Sequence, residues 1–119
     1  MTADIERIET TTRMSRVVKH SGIVYLCGQT AVGASPAGIE AQTREALSRV
    51  DALLVKAGTD RSRILTALVH LRDIADFAAM NEVWEAWLPP NTAPARTTVE
   101  AKLAAPDLLF EVTITAAAA

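Results

Sequence analysis

The chain has 119 residues, of which 50% are hydrophobic, 4% aromatic and 22% charged. This length fits a single domain over residues 1–119 and excludes an enzyme with separate cofactor and substrate domains. The hydrophobic fraction excludes a disordered or collagen-like chain. The 12 lysines and arginines against 14 acidic residues give a net charge of −2, and no segment is a basic run. A nucleic-acid partner is therefore not expected.

Cysteine usage and hydropathy predict a cytoplasmic location. Cys27 is the only cysteine, which excludes an intrachain disulfide and a cysteine-based zinc site. Residues 1–6 lack the basic start and apolar block of a signal peptide. No stretch approaches the ~20 apolar residues that span a bilayer, so no membrane partner is expected.

The first third of the chain predicts strands and a loop. Residues 4–9 form a weak, short strand candidate. Residues 16–29 predict a β-hairpin, because two β-branched runs flank the turn residues at 20–22. Residues 30–38 contain Gly33, Pro36 and Gly38, which predict a loop.

The middle of the chain predicts two helices around a strand. Residues 39–57 have apolar positions at a 3.6-residue period, with the pairs Glu40–Arg44 and Glu45–Arg49 on the other face. Residues 63–71 are apolar on both faces, which predicts a central strand covered on both sides. Residues 74–88 predict a second helix that follows an Asp73 N-cap and ends at two prolines. Its paired tryptophans, Trp84 and Trp87, predict packing rather than a ligand platform.

Residues 96–103 and 109–116 each alternate between polar and apolar positions and flank a turn at residues 106–107. We expect these two strands to pair antiparallel. The complete order, β-β-β-α-β-α-β-β, predicts an α+β domain with two helices on one face of a mixed six-stranded sheet. The uncovered face is expected to carry Arg96, Thr98, Glu100 and Glu111. Because that face is also partly apolar, the chain is an oligomer candidate.

The sequence lacks most of the motifs that indicate a metal, phosphate or nucleophile site. His20, His70 and Cys27 lack the spacing of metal ligands, so no metal site is predicted. The glycines at 28, 33 and 38 do not match a phosphate-binding loop, and Ser35 misses the spacing of a nucleophile elbow by one residue. Cys27, alone in an apolar strand, is interpreted as a small buried hydrophobe rather than a nucleophile.

Arg96 and Glu111 remain as candidates. A guanidinium can grip a carboxylate through two parallel hydrogen bonds. A glutamate near it can hold and polarise a water molecule. On residue types alone, a surface salt bridge between two paired strands explains this pair better than a binding site does.

Several motifs carry a family resemblance. They are Ser-Arg-Val-Val at 15–18, Leu-Cys-Gly-Gln at 26–29, Asp-Phe-Ala-Ala-Met-Asn at 76–81, Pro-Ala-Arg-Thr-Thr-Val-Glu at 94–100 and Phe-Glu-Val at 110–112. With these motifs the chain resembles the reactive-intermediate deaminase family, also called the RidA-like or YjgF/YER057c/UK114 family. The resemblance extends over residues 14–117.

The resemblance implies a chorismate-mutase-like fold and a homotrimer, with the sheets inside, the helices outside and the sites in clefts between subunits. The implied partner is a small enamine or imine acid such as 2-aminoacrylate, which is hydrolysed to a 2-oxo acid and ammonia. The family needs no metal and no organic cofactor.

The family's residue roles carry over by position. Arg96 matches the arginine that grips the substrate carboxylate, and Thr98 matches the residue whose backbone contacts the amino or imino group. Glu111 matches the acid that orients the attacking water, Gly28 lies on the cleft wall, and Asn81 supports the fold near the site.

Met14 stands where the family has a tyrosine that lines the cleft. A thioether cannot donate a hydrogen bond, so the substrate stays open. Two alternatives therefore remain: a non-catalytic trimer that binds small carboxylates, and a deaminase of a catabolic pathway that acts on a different enamine or imine acid.

Overall fold

The computed structural model describes residues 4–34 and 37–119. Within these ranges the chain forms eight main elements: β1 (Glu6–Thr10), β2 (Ser15–His20), β3 (Ile23–Leu26), α1 (Ile39–Lys56), β4 (Ile64–Leu71), α2 (Phe77–Trp87), β5 (Ala95–Glu100) and β6 (Phe110–Ala117). Their order matches the predicted one. Ser35 and Pro36 of the predicted loop lie outside the described residues.

The strands form one mixed sheet in the order β1-β2-β3-β6-β4-β5. The β4–β5 pair is parallel and the other neighbours are antiparallel. The predicted hairpin is confirmed, and Ser21 and Gly22 take φ values of 50° and 80° in its turn, as a two-residue type I′ turn requires.

Both helices pack on one face of the sheet, as predicted. Buried α1 and α2 side chains form one core with the sheet residues that point the same way; they include Leu47, Val50, Leu54, Met80 and Trp84 from the helices and Val17, Val24, Val69, Phe110, Val112 and Ile114 from the strands. We call the opposite side of the sheet, with Tyr25, Leu68 and Glu111, the open face.

Local signals set the helix ends. The Asp73 carboxylate accepts a hydrogen bond from Ala75 N at 2.9 Å, which starts a short 3₁₀ turn before α2 begins at Phe77. Gly58 follows α1 with φ 79° and donates from its N–H to Val55 O at 3.0 Å. The predicted pair Glu45–Arg49 forms at 2.9 Å on α1.

The expected pairing of the last two strands is wrong, because β4 lies between β5 and β6. After β4 the chain crosses over through α2 and returns as β5, which runs parallel to β4 and pairs with it. The connection from β5 then passes the end of β4, where Arg72 donates to the carbonyls of Leu108 and Ala105, both at 2.7 Å. The chain therefore enters β6 on the other side of β4.

The expectation that β4 is covered on both sides is also wrong within one chain. Val69 and Leu71 are buried beneath the helices, whereas Leu65 and Leu68 are exposed. A register irregularity between Ile64 and Thr66 turns Ile64, rather than Leu65, into the core. The open face is thus partly apolar, as the sequence predicts.

A polar cluster joins the two helices. Arg61 binds the Asp51 carboxylate through two nitrogens, at 3.0 and 2.6 Å, and donates to Trp87 O at 2.8 Å. The Trp87 indole N–H donates to the same carboxylate at 3.0 Å. Trp84 and Trp87 also contact each other, with ring centres 5.6 Å apart, which confirms that these tryptophans serve packing. In the described part of the chain, no helix has both the length and the apolar character that crossing a membrane requires.

Candidate functional site

Glu111 lies on the open face, against Gly28. Its neighbours in β6, Phe110 and Val112, are fully buried in the core, so the Glu111 side chain points the other way. Gln29 pairs with Val112 through two backbone hydrogen bonds of 2.8 and 3.1 Å, which brings the segment around residue 28 beside β6. A Cβ atom on Gly28 would overlap Oε2 of Glu111 and lie 3.0 Å from its Cδ. A larger residue at position 28 would therefore displace the Glu111 carboxylate, and two predicted site residues are brought into contact.

The Gln29 side chain holds the backbone of Cys27 and Gly28 in place beside this contact. Its side-chain nitrogen lies 3.2 Å from Cys27 O, 3.1 Å from Cys27 Sγ and 3.1 Å from Gly28 O. The Cys27 thiol is half-buried, and burial raises its pKa, although the charge of Arg16 and the Gln29 hydrogen bond oppose this effect. A raised pKa keeps the sulfur in its weakly nucleophilic thiol form.

Met14 and Gly28 line the same cleft. The cleft has a volume of about 400 Å³ and lies between the β1–β2 end of the sheet and α1, where Leu53 forms part of its floor. Glu9, at the edge of the cleft, accepts one hydrogen bond from Lys56, and its Oε1 lies 3.5 Å from Arg16 Nε. The Lys56 hydrogen bond lowers the pKa of the Glu9 carboxyl.

Arg96 and Thr98 lie on the helix-covered side of β5, which corrects the expectation that they share the open face with Glu111. Their Cα partners in β4 are Ala67 and Val69, and both partners are buried in the core beneath the helices. The alternation is as predicted from Arg96 to Glu100, where β5 ends; residues 101–103 of the predicted strand lie outside it. Because β5 was expected to pair with β6 and not with β4, Arg96 and Thr98 were assigned to the wrong side of the sheet.

The Arg96 guanidinium lies between two aromatic rings of α2. Its Cζ is 5.6 Å from the Phe77 ring centre and 5.5 Å from the Trp84 ring centre. Met80 Sδ lies 4.0 Å from Nη1. Aromatic faces attract a guanidinium without using its N–H groups. Across residues 4–34 and 37–119, no carboxylate lies within ion-pair distance of Arg96.

Burial lowers the pKa of Arg96, and the negative charge of Glu85 opposes this effect. The guanidinium stays protonated in any case, as arginine does in proteins. It is therefore a partly desolvated cation whose N–H groups contact only the weak acceptor Met80 Sδ within the described part of the chain. This is the arrangement that a bidentate carboxylate ligand fits.

Three buried polar atoms lack hydrogen-bond partners among the described residues: His70 Nδ1, Asn81 Oδ1 and Thr98 Oγ1. Thr98 lies two positions from Arg96 on the same side of β5. Asn81 follows Met80 on α2. His70 is the Cα partner of Glu111 in the sheet. Such atoms are uncommon in a folded chain; His70 is paired with Glu111, and Thr98 lies on the same side of β5 as Arg96.

One chain does not bring all the predicted residues together. Arg96 and Glu111 lie on opposite sides of the sheet, on strands separated by β4. This geometry overturns the salt-bridge interpretation of the pair. It also leaves two half-sites: the Arg96 cluster with Thr98 and the α2 rings, and the Glu111 cluster with Gly28, which adjoins the cleft of Met14.

Sequence reasoning missed the aromatic neighbours of Arg96. Phe77, Met80 and Trp84 recur at helical spacing. The packing predicted for Trp84 holds, since it is buried, whereas Phe77 is exposed beside Arg96. Sequence reasoning also missed His70 beside Glu111, since only the strand register reveals it. In the described ranges, no three His, Cys, Asp or Glu side chains gather as a metal site would need.

The sequence model of the family described as Endoribonuclease L-PSP matches residues 4–118. The chain belongs to this family. A RutC family protein of Haemophilus ducreyi is 44% identical over 113 residues, which cover 95% of this chain and 96% of the relative. The RutC family protein YoaB of Escherichia coli is 40% identical over 117 residues, covering 95% and 97% of the two chains.

Solved structures agree with this assignment. The structure of NMB1025 from Neisseria meningitidis, described as a YjgF family member, superposes with a TM-score of 0.88 at 38% identity, over 98% of this chain and 96% of that one. Rv2704 from Mycobacterium tuberculosis, described as a member of the YjgF/YER057c/UK114 family, gives a TM-score of 0.83 at 28% identity, over 96% and 99%. The resemblance read from the motifs is confirmed, and so is the α+β, YjgF-type fold.

Proposed function

We propose that this protein is an enamine/imine deaminase that converts 2-amino-alkenoates such as 2-aminoacrylate to 2-oxo acids and ammonia. The observation that carries the proposal is the Arg96 guanidinium, held between Phe77 and Trp84 with no carboxylate of the described residues at ion-pair distance. A planar cation with a free N–H edge suits the carboxylate that all these substrates share. RidA-like family membership supports the choice of reaction.

The complete site is proposed to form between subunits of a homotrimer. Arg96 and Glu111 lie on opposite sides of one sheet, so a substrate could meet both only where two copies adjoin. The open face supports such assembly, because Tyr25, Leu65 and Leu68 are exposed there. An apolar face of this kind is stabilised when a second copy covers it.

The chemistry would proceed through the imine tautomer of the enamine. Arg96 binds the carboxylate and orients the imine, and the Thr98 backbone contacts its nitrogen. Glu111 accepts a proton from water as the water oxygen forms a bond to the imine carbon and the π electrons move to nitrogen. Glu111 then gives this proton to the nitrogen, and the hydroxyl proton follows it as the carbon–nitrogen bond breaks, so that a carbonyl group forms and ammonia leaves.

This reaction is redox-neutral and needs no electron carrier. Imines also hydrolyse slowly without a catalyst, so a few positioned groups are sufficient.

The test generates 2-aminoacrylate enzymatically beside a semicarbazide trap and measures pyruvate release above the uncatalysed rate. We expect the wild type to accelerate release and Arg96→Ala to fall to the background while its oligomer stays intact. Arg44→Ala, which removes an exposed arginine of α1, on the other side of the sheet from the open face, is the matched control and should keep full activity. A wild type that does not exceed the background would overturn the proposal.

The same Arg96 cluster also supports a non-catalytic binder of small carboxylates. Met14 favours this alternative, because it cannot donate the hydrogen bond of the family's tyrosine. Such a protein would be stabilised by 2-oxo acids without accelerating pyruvate release. RNA cleavage, which the family description suggests, is not proposed, since the chain is acidic and has no basic run.

A further inference from the structure

We propose that His70 is a positioning residue for Glu111: the protonated imidazole draws the Glu111 carboxylate away from Gly28, which slows imine hydrolysis below about pH 6.5, where histidine takes up a proton. The inference rests on the deaminase function proposed above and names a pH control of that site.

His70 and Gly28 flank Glu111 on the open face. In the sheet, β6 lies between β3 and β4; Gly28 follows the end of β3, and His70 belongs to β4 as the Cα partner of Glu111. Because Val69 and Leu71 on either side are buried in the core, the imidazole points to the open face. Cβ atoms of opposed residues in an antiparallel pair lie about 4.5–5.5 Å apart. Rotation about side-chain bonds can therefore bring the carboxylate and the imidazole into contact.

The buried nitrogen of His70 makes protonation depend on an acceptor. Nδ1 is buried and has no hydrogen-bond partner among the described residues. A neutral imidazole with its proton on Nε2 leaves only a lone pair at this position. The imidazolium carries a proton on both nitrogens, and a buried N–H without an acceptor is costly. Uptake of a proton from solvent therefore favours any arrangement that places an acceptor at Nδ1.

The Glu111 carboxylate is that acceptor. Among the described residues of β4, β5 and β6, it is the one carboxylate on the open side, and the neighbour of His70 in β5 is the uncharged Val99. Arg72, further along the chain, donates to two backbone carbonyls of the connection to β6. The charge of Glu111 also acts on the Cys27 thiol, whose pKa is raised by burial. Neither group competes with the imidazolium for the carboxylate.

The two positions of the carboxylate differ in what they leave for catalysis. Beside Gly28, Glu111 has no cation within ion-pair distance in the described part of the chain, so it can accept a proton from water. Beside an imidazolium it is paired, and a paired carboxylate is a weaker base. In the proposed ring, the Arg96 guanidinium of the adjoining copy faces the same site but is occupied by the substrate carboxylate. Protonation of His70 therefore removes the base from the site.

The first arm of the test needs no turnover. The chain has two histidines, His20 and His70, so His20→Gln assigns the imidazole signal of His70 in an NMR titration over about pH 5–8. The midpoint of this signal should lie about one pH unit lower in Glu111→Gln than in the wild type, because the acceptor has lost its charge. Equal midpoints would overturn the proposal.

Gly28→Ala gives a second reading from the same titration. A Cβ atom at residue 28 overlaps Glu111 Oε2, so the methyl group should displace the carboxylate towards His70 and raise the midpoint above that of the wild type. A midpoint at or below the wild-type value would show that the carboxylate does not move between these two positions, which would overturn the proposal.

The second arm measures kcat/KM for imine hydrolysis, above the uncatalysed rate, at about pH 7.5 and about pH 5.5, one unit on either side of the ordinary histidine midpoint. The wild type should lose about tenfold between these values. His70→Phe, which cannot take up a proton, should lose no more than about twofold, and His70→Gln replaces it if the phenylalanine variant does not fold. His20→Gln is the matched control and should keep the tenfold loss. A tenfold loss in the His70 variants would overturn the proposal.

The two arms separate the inference from the deaminase function. A wild type that does not accelerate hydrolysis at either pH would overturn the deaminase function, and the NMR titration would still decide whether His70 pairs with Glu111. Acceleration with the same kcat/KM at both pH values would overturn the pH control and leave the deaminase function intact.

Discussion

Glu111 and Gly28 are packed so closely that a Cβ atom at residue 28 would overlap Glu111 Oε2. The strand register fixes both partners: Gln29 is hydrogen-bonded to Val112, so residue 28 cannot move away from β6 without breaking this bridge. The Glu111 carboxylate lies at the end of a flexible side chain, so it is the group that can move.

Gly28→Ala is therefore expected to affect catalysis much more than stability. The methyl group would push the Glu111 carboxylate aside, and kcat/KM for imine hydrolysis should fall at least about tenfold. The free energy of unfolding should change by less than about 1 kcal/mol, because a side-chain terminus and not the backbone gives way. Both quantities are measured on the same preparation.

Gly58→Ala is the converse control. Gly58 has φ 79° and open space around its Cα, so alanine costs about 1 kcal/mol in backbone strain and should leave kcat/KM unchanged. A Gly28→Ala variant with full activity would show that Glu111 does not act from its observed position.

Leu68 tests the proposed assembly. It lies exposed in the middle of the open face, with Thr113 as its Cα partner. Leu68→Glu should prevent trimer formation, because a buried unpaired carboxylate is costly. Light scattering after gel filtration should give three times the 12.7 kDa chain mass for the wild type and the single-chain mass for the variant. Val55→Glu, on exposed α1, should remain trimeric; a trimeric Leu68→Glu would argue against the open face as the interface.

Asp51 should contribute to stability through its hydrogen bonds. Asp51→Ala leaves the Trp87 indole N–H and two Arg61 nitrogens without their acceptor. Because the side chains of Asp51 and Arg61 are 30% and 38% exposed, the charge attraction itself is weak. We expect a loss of about 1–3 kcal/mol in urea unfolding. Glu45→Ala, which removes only the Glu45–Arg49 pair of α1, should cost no more than about 0.5 kcal/mol. Equal losses in the two variants would contradict this account.

Cys27 should react slowly with alkylating agents at neutral pH. Burial raises its pKa, so the thiolate fraction at a given pH is smaller than in a free thiol, and the rate should rise with pH into the alkaline range. Iodoacetamide labelling followed by mass spectrometry measures this rate. Urea-unfolded protein should be labelled at the rate of free cysteine, and a folded rate equal to or above it would refute the expectation.

The sequence was sufficient to predict the helices and strands, but not which strands lie next to each other in the sheet. The turn residues at 20–22, Asp73 and Gly58 act locally, so the hairpin and the helix ends could be predicted from them. The alternation of residues 95–100 is satisfied beside either β4 or β6, so it carries no information on the partner strand. The choice depends on where α2 and the connection held by Arg72 lead the chain, which is a tertiary property.

The candidate site could likewise be predicted only in part. Residue types and motifs were enough to select Arg96, Thr98, Gly28 and Glu111, but the face that each side chain occupies follows from pairing. The contact of Gly28 with Glu111 joins residues 83 positions apart through the bridge at Gln29. No periodicity within a single segment could have revealed it.

The separation of Arg96 and Glu111 on opposite faces has a genetic consequence. In a closed ring of three copies, each site would take its guanidinium from one chain and its carboxylate from the next. Two alleles, one encoding Arg96→Ala and the other Glu111→Gln, would each be inactive alone. Expressed together, they would complement each other, because every mixed ring contains a junction at which an intact Arg96 adjoins an intact Glu111.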